Sequence, residues 1–220
     1  MSSQFEFLMT ETQFTAVHQK DCDPYYNHRM GSVVVYNSQR QQLLTVRYQN
    51  DDINCFECEE HFTAEHHSLG EVLTTTTVKE DKCCFFCPWP TMREKGIFAG
   101  QEHLGSLRSK YNWAEPVTGE LIDSHSNPVF DFNFPKRQKH QIIFSQGGNE
   151  IATLDSQVER ITEKKKILFF KAKMLKDRNY ITTVNFPRHL PIQIKLCLLM
   201  KTAMRAHEIY IIENPKPDDN

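Results

Sequence analysis

Residues 191–213, PIQIKLCLLMKTAMRAHEIYIIE, decide the fold of this chain. The middle of this stretch has neither Gly nor a run of β-branched residues, and Pro191 suits the first turn of a helix. Lys201, Arg205 and Glu208 follow one another at helical spacing, so they form one polar stripe on an otherwise apolar cylinder. Such a helix must be enclosed by the rest of the protein or inserted in a membrane.

The charges in this helix favour a protein core over a membrane. Residues 190–212 include nine Leu or Ile residues, and each of these contributes about −0.3 to −0.6 kcal/mol to insertion. Each central Lys or Arg opposes insertion by about 2.5 to 3.5 kcal/mol. The segment contains Lys195, Lys201 and Arg205, so the charges outweigh the apolar residues. The residues that we predict to face inwards are Leu196, Leu199, Met200 and Ala203.

The sequence before this helix predicts short strands. Seven segments of four to seven residues are rich in Val, Ile, Thr, Phe and Tyr and are bounded by turn residues. They are residues 13–18, 32–36, 43–48, 72–78, 130–134, 141–144 and 167–170. Gly147-Gly148-Asn149 indicates a hairpin connection. Strands at this spacing favour an antiparallel barrel or sandwich over alternating β/α units.

Composition and motifs indicate a soluble protein without bond-breaking chemistry. The chain has 220 residues, which suits one domain, and 25% of the residues are charged. The formal net charge is −2, so no overall positive field attracts nucleic acid. We find no signal-peptide pattern and no P-loop, GxSxG, HExxH or GxGxxG motif. We expect one domain over residues 1–213 and a polar tail over residues 214–220.

The order of several segments resembles the phospholipid scramblase family. The segments are FTAVHQKDCD (14–23), GSVVVYNSQRQQLLTVRY (31–48), CCFFCPWPTMREKGIFAGQEHLGSL (83–107), LIDSHSNPVFDF (121–132), IIFSQGGNEIATL (142–154) and residues 167–213. The resemblance covers most of the chain. It implies a mainly β fold, a tubby-like barrel of about twelve antiparallel strands that encloses the hydrophobic C-terminal helix. Closing such a barrel also removes exposed strand edges.

Two departures from the family pattern lead to expectations about the barrel. Only thirteen residues precede Phe14, so we expect the barrel to be shortened at its N-terminus or open at one edge. Residues 50–82 look longer than the corresponding family segment and are rich in His and Thr. We therefore expect a long loop there.

The resemblance also implies an activity and a location. The activity is ATP-independent, bidirectional movement of phospholipids between leaflets, so no covalent bond changes and we do not expect an enzyme. The location is the cytoplasmic face of the plasma membrane, or otherwise the cytosol. Anionic phospholipid is the implied partner, other proteins are further candidates, and nucleic acid is not expected. The alternatives are a tubby-like module that binds acidic headgroups or proteins without moving lipid, and a zinc-stabilised binding protein.

Cysteines form a distinctive cluster. There are seven, an odd number without a secretory signal, so we expect no disulfide framework. The resemblance implies thioacylation of Cys83, Cys84 and Cys87. Because a single acyl chain binds membranes only marginally, several acylated cysteines close together would be needed to hold the protein there. The pairs Cys55-x2-Cys58 and Cys84-x2-Cys87 also suit a tetrahedral zinc site. Reduced thiols in a loop are the third interpretation.

The resemblance further implies a calcium site before the last helix. Asp177 and Asn179 match its first two side-chain oxygen ligands, whereas Tyr180 replaces an amide and Arg188 stands near an expected acidic position. Because Ca²⁺ takes about six to eight oxygen ligands, we expect weak calcium binding here. A plain turn is the alternative.

Two basic clusters are candidates for contact with acidic lipid. Each Lys or Arg near an anionic leaflet contributes about 1 kcal/mol to binding. The first cluster is Lys136, Arg137 and Lys139, and the second is Lys164, Lys165 and Lys166. The alternative is that both clusters are solvated turns.

Overall fold

A closed barrel of twelve antiparallel strands dominates the computed structural model of the chain. The structure describes residues 2–19, 30–51, 59–82, 90–112, 115–134, 140–167 and 170–214. A short 3-10 helix, Ser2–Leu8, precedes the strands. One long helix, α1 (Ile192–Glu213), follows them. The predicted barrel with a C-terminal helix is confirmed.

The strands follow one another around the barrel in chain order. They are β1 (Gln13–Gln19), β2 (Met30–Asn37), β3 (Gln42–Asp51), β4 (Glu59–His66), β5 (Gly70–Lys82), β6 (Pro90–Ala99), β7 (Glu102–Asn112), β8 (Glu115–Asp123), β9 (Pro128–Asn133), β10 (Gln141–Gln146), β11 (Asn149–Ile167) and β12 (Phe170–Asn185). Closure occurs where β1 pairs with β12. The expected shortening or open edge is therefore wrong, because β1 has a partner strand on each side.

The loop expected at residues 50–82 is largely a strand hairpin. Residues 59–82 form β4 and β5, which are joined by a turn that ends at Gly70, where φ is +73°. Threonine is β-branched and favours strands, so the Thr-rich composition of β5 is consistent with an extended conformation. Residues 52–58 lie outside the described residues.

The central helix is enclosed by strands from several sides. Every residue from Ile194 to His207 is buried. The helix contacts β1, β2 and β12 as well as β7 and β8. The residues predicted to face inwards have no exposed surface, and these are Leu196, Leu199, Met200 and Ala203. Strand residues alternate accordingly, as in β9, where Phe130 and Phe132 are buried and Asp131 and Asn133 are exposed.

The two ends of the barrel differ in their connections. We call the end where α1 begins the helix-start rim and the end where α1 finishes the helix-end rim. Short turns join the strands at the helix-start rim, and at the predicted hairpin Gly147 and Gly148 have φ values of +57° and +82°. Such positive φ values favour glycine. Apart from β11 and β12, the strand ends that flank the internal segments outside the described residues lie at the helix-end rim.

The N-terminal 3-10 helix covers the helix-start rim. Phe5 and Leu8 are buried in the same core cluster as α1. The ammonium of Lys195, at the start of α1, donates hydrogen bonds to the carbonyl oxygens of Leu8, Met9 and Glu11 at 3.1, 2.9 and 3.0 Å. All three donors of this buried ammonium are therefore used, and they tie the N-terminal segment to the central helix.

β11 and β12 continue beyond the barrel as a two-stranded arm. They have 19 and 16 residues, whereas β10 has six. β10 pairs with β11 only up to Asp155, and β1 pairs with β12 only from Tyr180 onwards. Residues 159–167 and 170–179 pair with each other and with no other described strand. We call them the β11–β12 arm. About ten residues at about 3.3 Å each give the arm a length of about 30 Å.

Candidate functional site

The cysteine candidates belong to connections at the helix-end rim. Cys55, Cys58, Cys83, Cys84 and Cys87 all lie outside the described residues. The strands that flank them are β3 and β4 for the first pair, and β5 and β6 for the other three. These strands end and begin at the helix-end rim. The described strand ends that flank both cysteine-containing segments therefore lie at the same rim, and the lipidation and zinc interpretations stay predictions.

The calcium candidates lie in a strand and not in a turn. Asp177 and Asn179 are part of β12, and Asn179 Nδ2 donates a hydrogen bond of 3.2 Å to Glu159 Oε2 on β11. An extended strand spreads its residues about 3.3 Å apart, so it does not wrap several oxygens around one ion as Ca²⁺ requires. Among the described residues, no group of three or more His, Cys, Asp or Glu side chains is placed to hold a metal ion.

The two basic clusters belong to the same end of the barrel. Lys136, Arg137 and Lys139 lie outside the described residues, in the connection between β9 and β10 at the helix-end rim. Lys164, Lys165 and Lys166 lie on β11, close to the end of the β11–β12 arm. The second cluster is therefore part of a strand and not of a turn.

Strand register places four lysines on one face of the β11–β12 arm. Lys164 is paired with Lys173, and Lys166 with Lys171. Directly opposed residues in an antiparallel pair share a face, and residues two apart on one strand share it too. Like charges directly opposite each other destabilise a strand pair. The arrangement therefore favours a negatively charged partner on this face.

The end of the arm is apolar. Of the strand predicted at residues 167–170, Ile167 ends β11 and Phe170, its register partner, begins β12. Leu168 and Phe169, which connect them in the sequence, lie outside the described residues. The sequence KKKILFFKAK, residues 164–173, thus places an apolar segment between lysines. In the sequence, hydrophobic residues flanked by Lys indicate this apolar end of the arm.

Buried aromatic rings fill the barrel interior below the helix-end rim. His18 Nε2 on β1 lies 2.8 Å from the hydroxyl of Tyr48 on β3. The His18 ring stacks on Tyr210 of α1 with ring centroids 4.2 Å apart, and the rings of Tyr48 and His207 are 3.7 Å apart. Burial, and then the nearby His207, lower the pKa of His18 to about 3. His18 is therefore neutral at neutral pH.

Because His18 is buried and neutral, we expect the protein to lose stability in acid. Between pH 6.5 and pH 3 the unfolded chain binds a proton at His18 and the folded protein does not. Because the unfolded state then binds more protons, the free energy of unfolding falls as the pH falls, by about 2 kcal/mol between pH 7 and pH 5. Urea unfolding at both pH values should show a smaller fall for His18→Gln. An equal fall in the variant would mean that other groups cause the acid sensitivity.

A small charged cavity lies between α1 and strands β4, β6 and β7 near the helix-end rim. Its volume is about 40 Å³, and its charged lining residues are Glu60, Arg93, Lys95, Lys201 and Glu208. Lys95 Nζ lies 2.8 Å from Glu60 Oε2. Lys201 Nζ lies 3.1 Å from Glu208 Oε1. The polar stripe expected on α1 thus faces the strands through a network of ion pairs.

Both carboxyl groups at this cavity are ionised. Burial alone raises the pKa of Glu208, but Lys201 and Arg205 outweigh it and lower the pKa to about 2. Burial likewise raises the pKa of Glu60, and Lys95 is the main group that brings the pKa below its ordinary value. Arg205 Nη1 is 2.8 Å from Glu208 Oε2, so Glu208 holds two cations at once.

The helix-end rim thus combines an external basic face with an internal charged cavity. No protein-family model, curated protein or solved structure matches this chain. Within the described residues, no helix has both the length and the apolar character that a membrane crossing needs. The β11–β12 arm is suited to an extended anionic surface, whereas the cavity is suited to one small group.

Proposed function

We propose that the protein is a peripheral membrane protein that binds anionic phospholipid surfaces through the β11–β12 arm. The observation that carries this proposal is the basic face of the arm, where Lys164, Lys166, Lys171 and Lys173 are brought together by register. At about 1 kcal/mol for each lysine near an anionic leaflet, the four contribute roughly 4 kcal/mol. The resemblance of the sequence to phospholipid scramblases supports the same partner.

The apolar end of the arm adds a second contribution. Ile167 and Phe170 lie at this end, next to the lysines. Burying one large apolar side chain contributes about 1.5 to 3 kcal/mol. A two-stranded arm has two unpaired edges, and its backbone polar groups cannot enter the hydrocarbon core unsatisfied. The arm therefore lies at the interface, with only its end among the acyl chains and its lysines at the headgroups.

Headgroup binding is favoured over lipid transport through the barrel. From residue 194 to residue 207, every residue of α1 is buried. Apart from the small cavity beside Lys201 and Met204, this packing leaves no path for a whole lipid along the described part of the helix. Transbilayer lipid movement, the activity implied by the resemblance, would take place in the bilayer outside the barrel. We therefore propose binding as the primary activity and lipid movement as a consequence of it.

Vesicle flotation tests the proposal. The wild type should float with phosphatidylserine-containing vesicles and not with pure phosphatidylcholine. Replacing all four lysines of the basic face by Gln should weaken this binding by about a thousandfold, since roughly 4 kcal/mol is removed. The matched control removes four exposed charges elsewhere, at Arg40, Arg47, Lys79 and Lys110. Equal binding by the arm variant and the wild type would refute the proposal.

Two further measurements on the same vesicles separate the parts of the proposal. Ile167→Ser/Phe170→Ser should retain the preference for anionic vesicles and bind them more weakly, because the charges remain and the apolar contact is lost. Exchange of dye-labelled lipid between leaflets, with and without Ca²⁺, measures lipid movement and its dependence on calcium. Binding without exchange would identify a headgroup-binding module.

A further inference from the structure

The charged cavity contains more positive than negative groups. Arg93, Lys95 and Lys201 line it together with Glu60 and Glu208. Arg205 adds a fourth cation beside Glu208. Glu80 forms a further ion pair with Arg93, in which Oε1 of Glu80 lies 3.5 Å from Nη2 of Arg93.

The excess charge is largely buried. The side chains of Lys95, Lys201 and Arg205 are 7%, 4% and 5% exposed. Charges held away from water require a partner of opposite sign. Glu60, Glu80 and Glu208 provide three negative charges against the four positive charges of Arg93, Lys95, Lys201 and Arg205, so the group keeps one excess positive charge.

Unused hydrogen-bond donors point to the same conclusion. Arg93 Nε is buried and makes no hydrogen bond to any described residue. The Lys201 ammonium has three donors, of which one bonds to Glu208 Oε1. The ammonium also lies 5.7 Å from the centre of the Phe132 ring. A buried donor without an acceptor is costly, so an acceptor-rich ligand would stabilise this site.

The size of the cavity limits the ligand to one small group. The volume of about 40 Å³ is too small for a whole lipid and suits one compact group. A single tetrahedral oxyanion fits this description. Glu60 and Glu208 are 25% and 30% exposed, so the cavity opens towards the helix-end rim.

We infer that this cavity is a binding site for a phosphate group, supplied either as free inorganic phosphate or by a phospholipid headgroup at the rim. Arg93 and Lys201 donate hydrogen bonds to the phosphate oxygens, and Lys95 contributes charge. Glu60 and Glu208 position the two lysines by holding their ammonium groups. None of these residues lies in the β11–β12 arm, so the inference is independent of the membrane proposal.

Thermal unfolding of the full chain in added phosphate tests the inference. At matched ionic strength, inorganic phosphate should raise the Tm by a few degrees in a saturable manner, and chloride should not, because a ligand of the folded state stabilises it by mass action. Glycerophosphoserine, a headgroup without acyl chains, is the second probe. A lower half-saturating concentration for glycerophosphoserine identifies a lipid headgroup as the source, and the reverse order identifies free phosphate.

Two variants make the test specific. Arg93→Gln should remain folded, since the Arg93 side chain is 21% exposed, and should lose the rise in Tm. Lys110→Gln on β7, whose side chain is 56% exposed, is the control and should keep the rise. No saturable rise with either probe, or an equal rise in Arg93→Gln, would overturn the inference. The membrane proposal requires only the arm, so Arg93→Gln should still float with anionic vesicles. Flotation of this variant therefore tests the membrane proposal separately from the phosphate site.

Discussion

Replacing Leu199 by Ala should lower the free energy of unfolding by about 2 to 5 kcal/mol. Leu199 lies in the middle of α1 and has no exposed surface. The enclosing strands are hydrogen-bonded around a closed barrel, so they cannot collapse fully onto the shortened side chain and a cavity remains. The loss is a large share of a typical stability of about 5 to 15 kcal/mol.

Urea unfolding measures this effect directly, and Ile212→Ala is the matched control. Ile212 lies on the same helix but is 59% exposed, so its truncation should cost well under about 1 kcal/mol. A helix that served as a membrane anchor would show little loss of folding stability in Leu199→Ala. Equal stabilities of the two variants would therefore rule out a buried central helix.

Replacing Lys195 by Met should cost about 3 to 5 kcal/mol. The variant keeps the volume of the side chain but leaves three carbonyl oxygens, of Leu8, Met9 and Glu11, without their donor. Each unsatisfied buried acceptor costs about 1 to 3 kcal/mol. The variant also removes the ammonium from its position 5.7 Å from the centre of the Phe186 ring. The N-terminal 3-10 helix should then detach from the helix-start rim.

Hydrogen exchange tests the local part of this prediction. In Lys195→Met the amides of residues 5–11 should lose protection more than those of the central strands, because the lost bonds all end on this segment. Lys79→Met, at an exposed position of β5, is the control for removal of a lysine. Unchanged protection of residues 5–11 in Lys195→Met would show that packing of Phe5 and Leu8 alone holds the segment.

The central helix could be predicted because its signal is local. Its apolar residues are contiguous, and the charges at Lys195, Lys201 and Arg205 exclude insertion on energetic grounds. The short apolar segments indicate a barrel or a sandwich, and the choice of a barrel rests on the family resemblance. Its closure could not be predicted, because the pairing of β1 with β12 joins residues that are far apart in the sequence. The hairpin at Gly147 and Gly148 was predicted from a local signal, because its positive φ values require glycine.

The arm and the cavity could not be predicted because they depend on strand register. Residues 155–166, DSQVERITEKKK, are polar and charged, so they give no alternating apolar signal for the longest strand. The pairing of Lys164 with Lys173 follows from the hairpin and not from local composition. Glu60 and Lys95 are separated by 35 residues, and only the closed barrel brings them into contact.

Closure of the barrel has a consequence for how the chain folds during synthesis. β1 pairs with β12, and α1 fills the interior, yet β12 is translated only after strands β1 to β11, and α1 only after all twelve strands. Until then the nascent chain exposes an unpaired β1 edge and an unfilled apolar interior. Contacts between such distant residues form slowly, and unpaired edges invite aggregation. We therefore expect the chain to acquire its native structure after translation of the helix, and to depend on chaperones until that point.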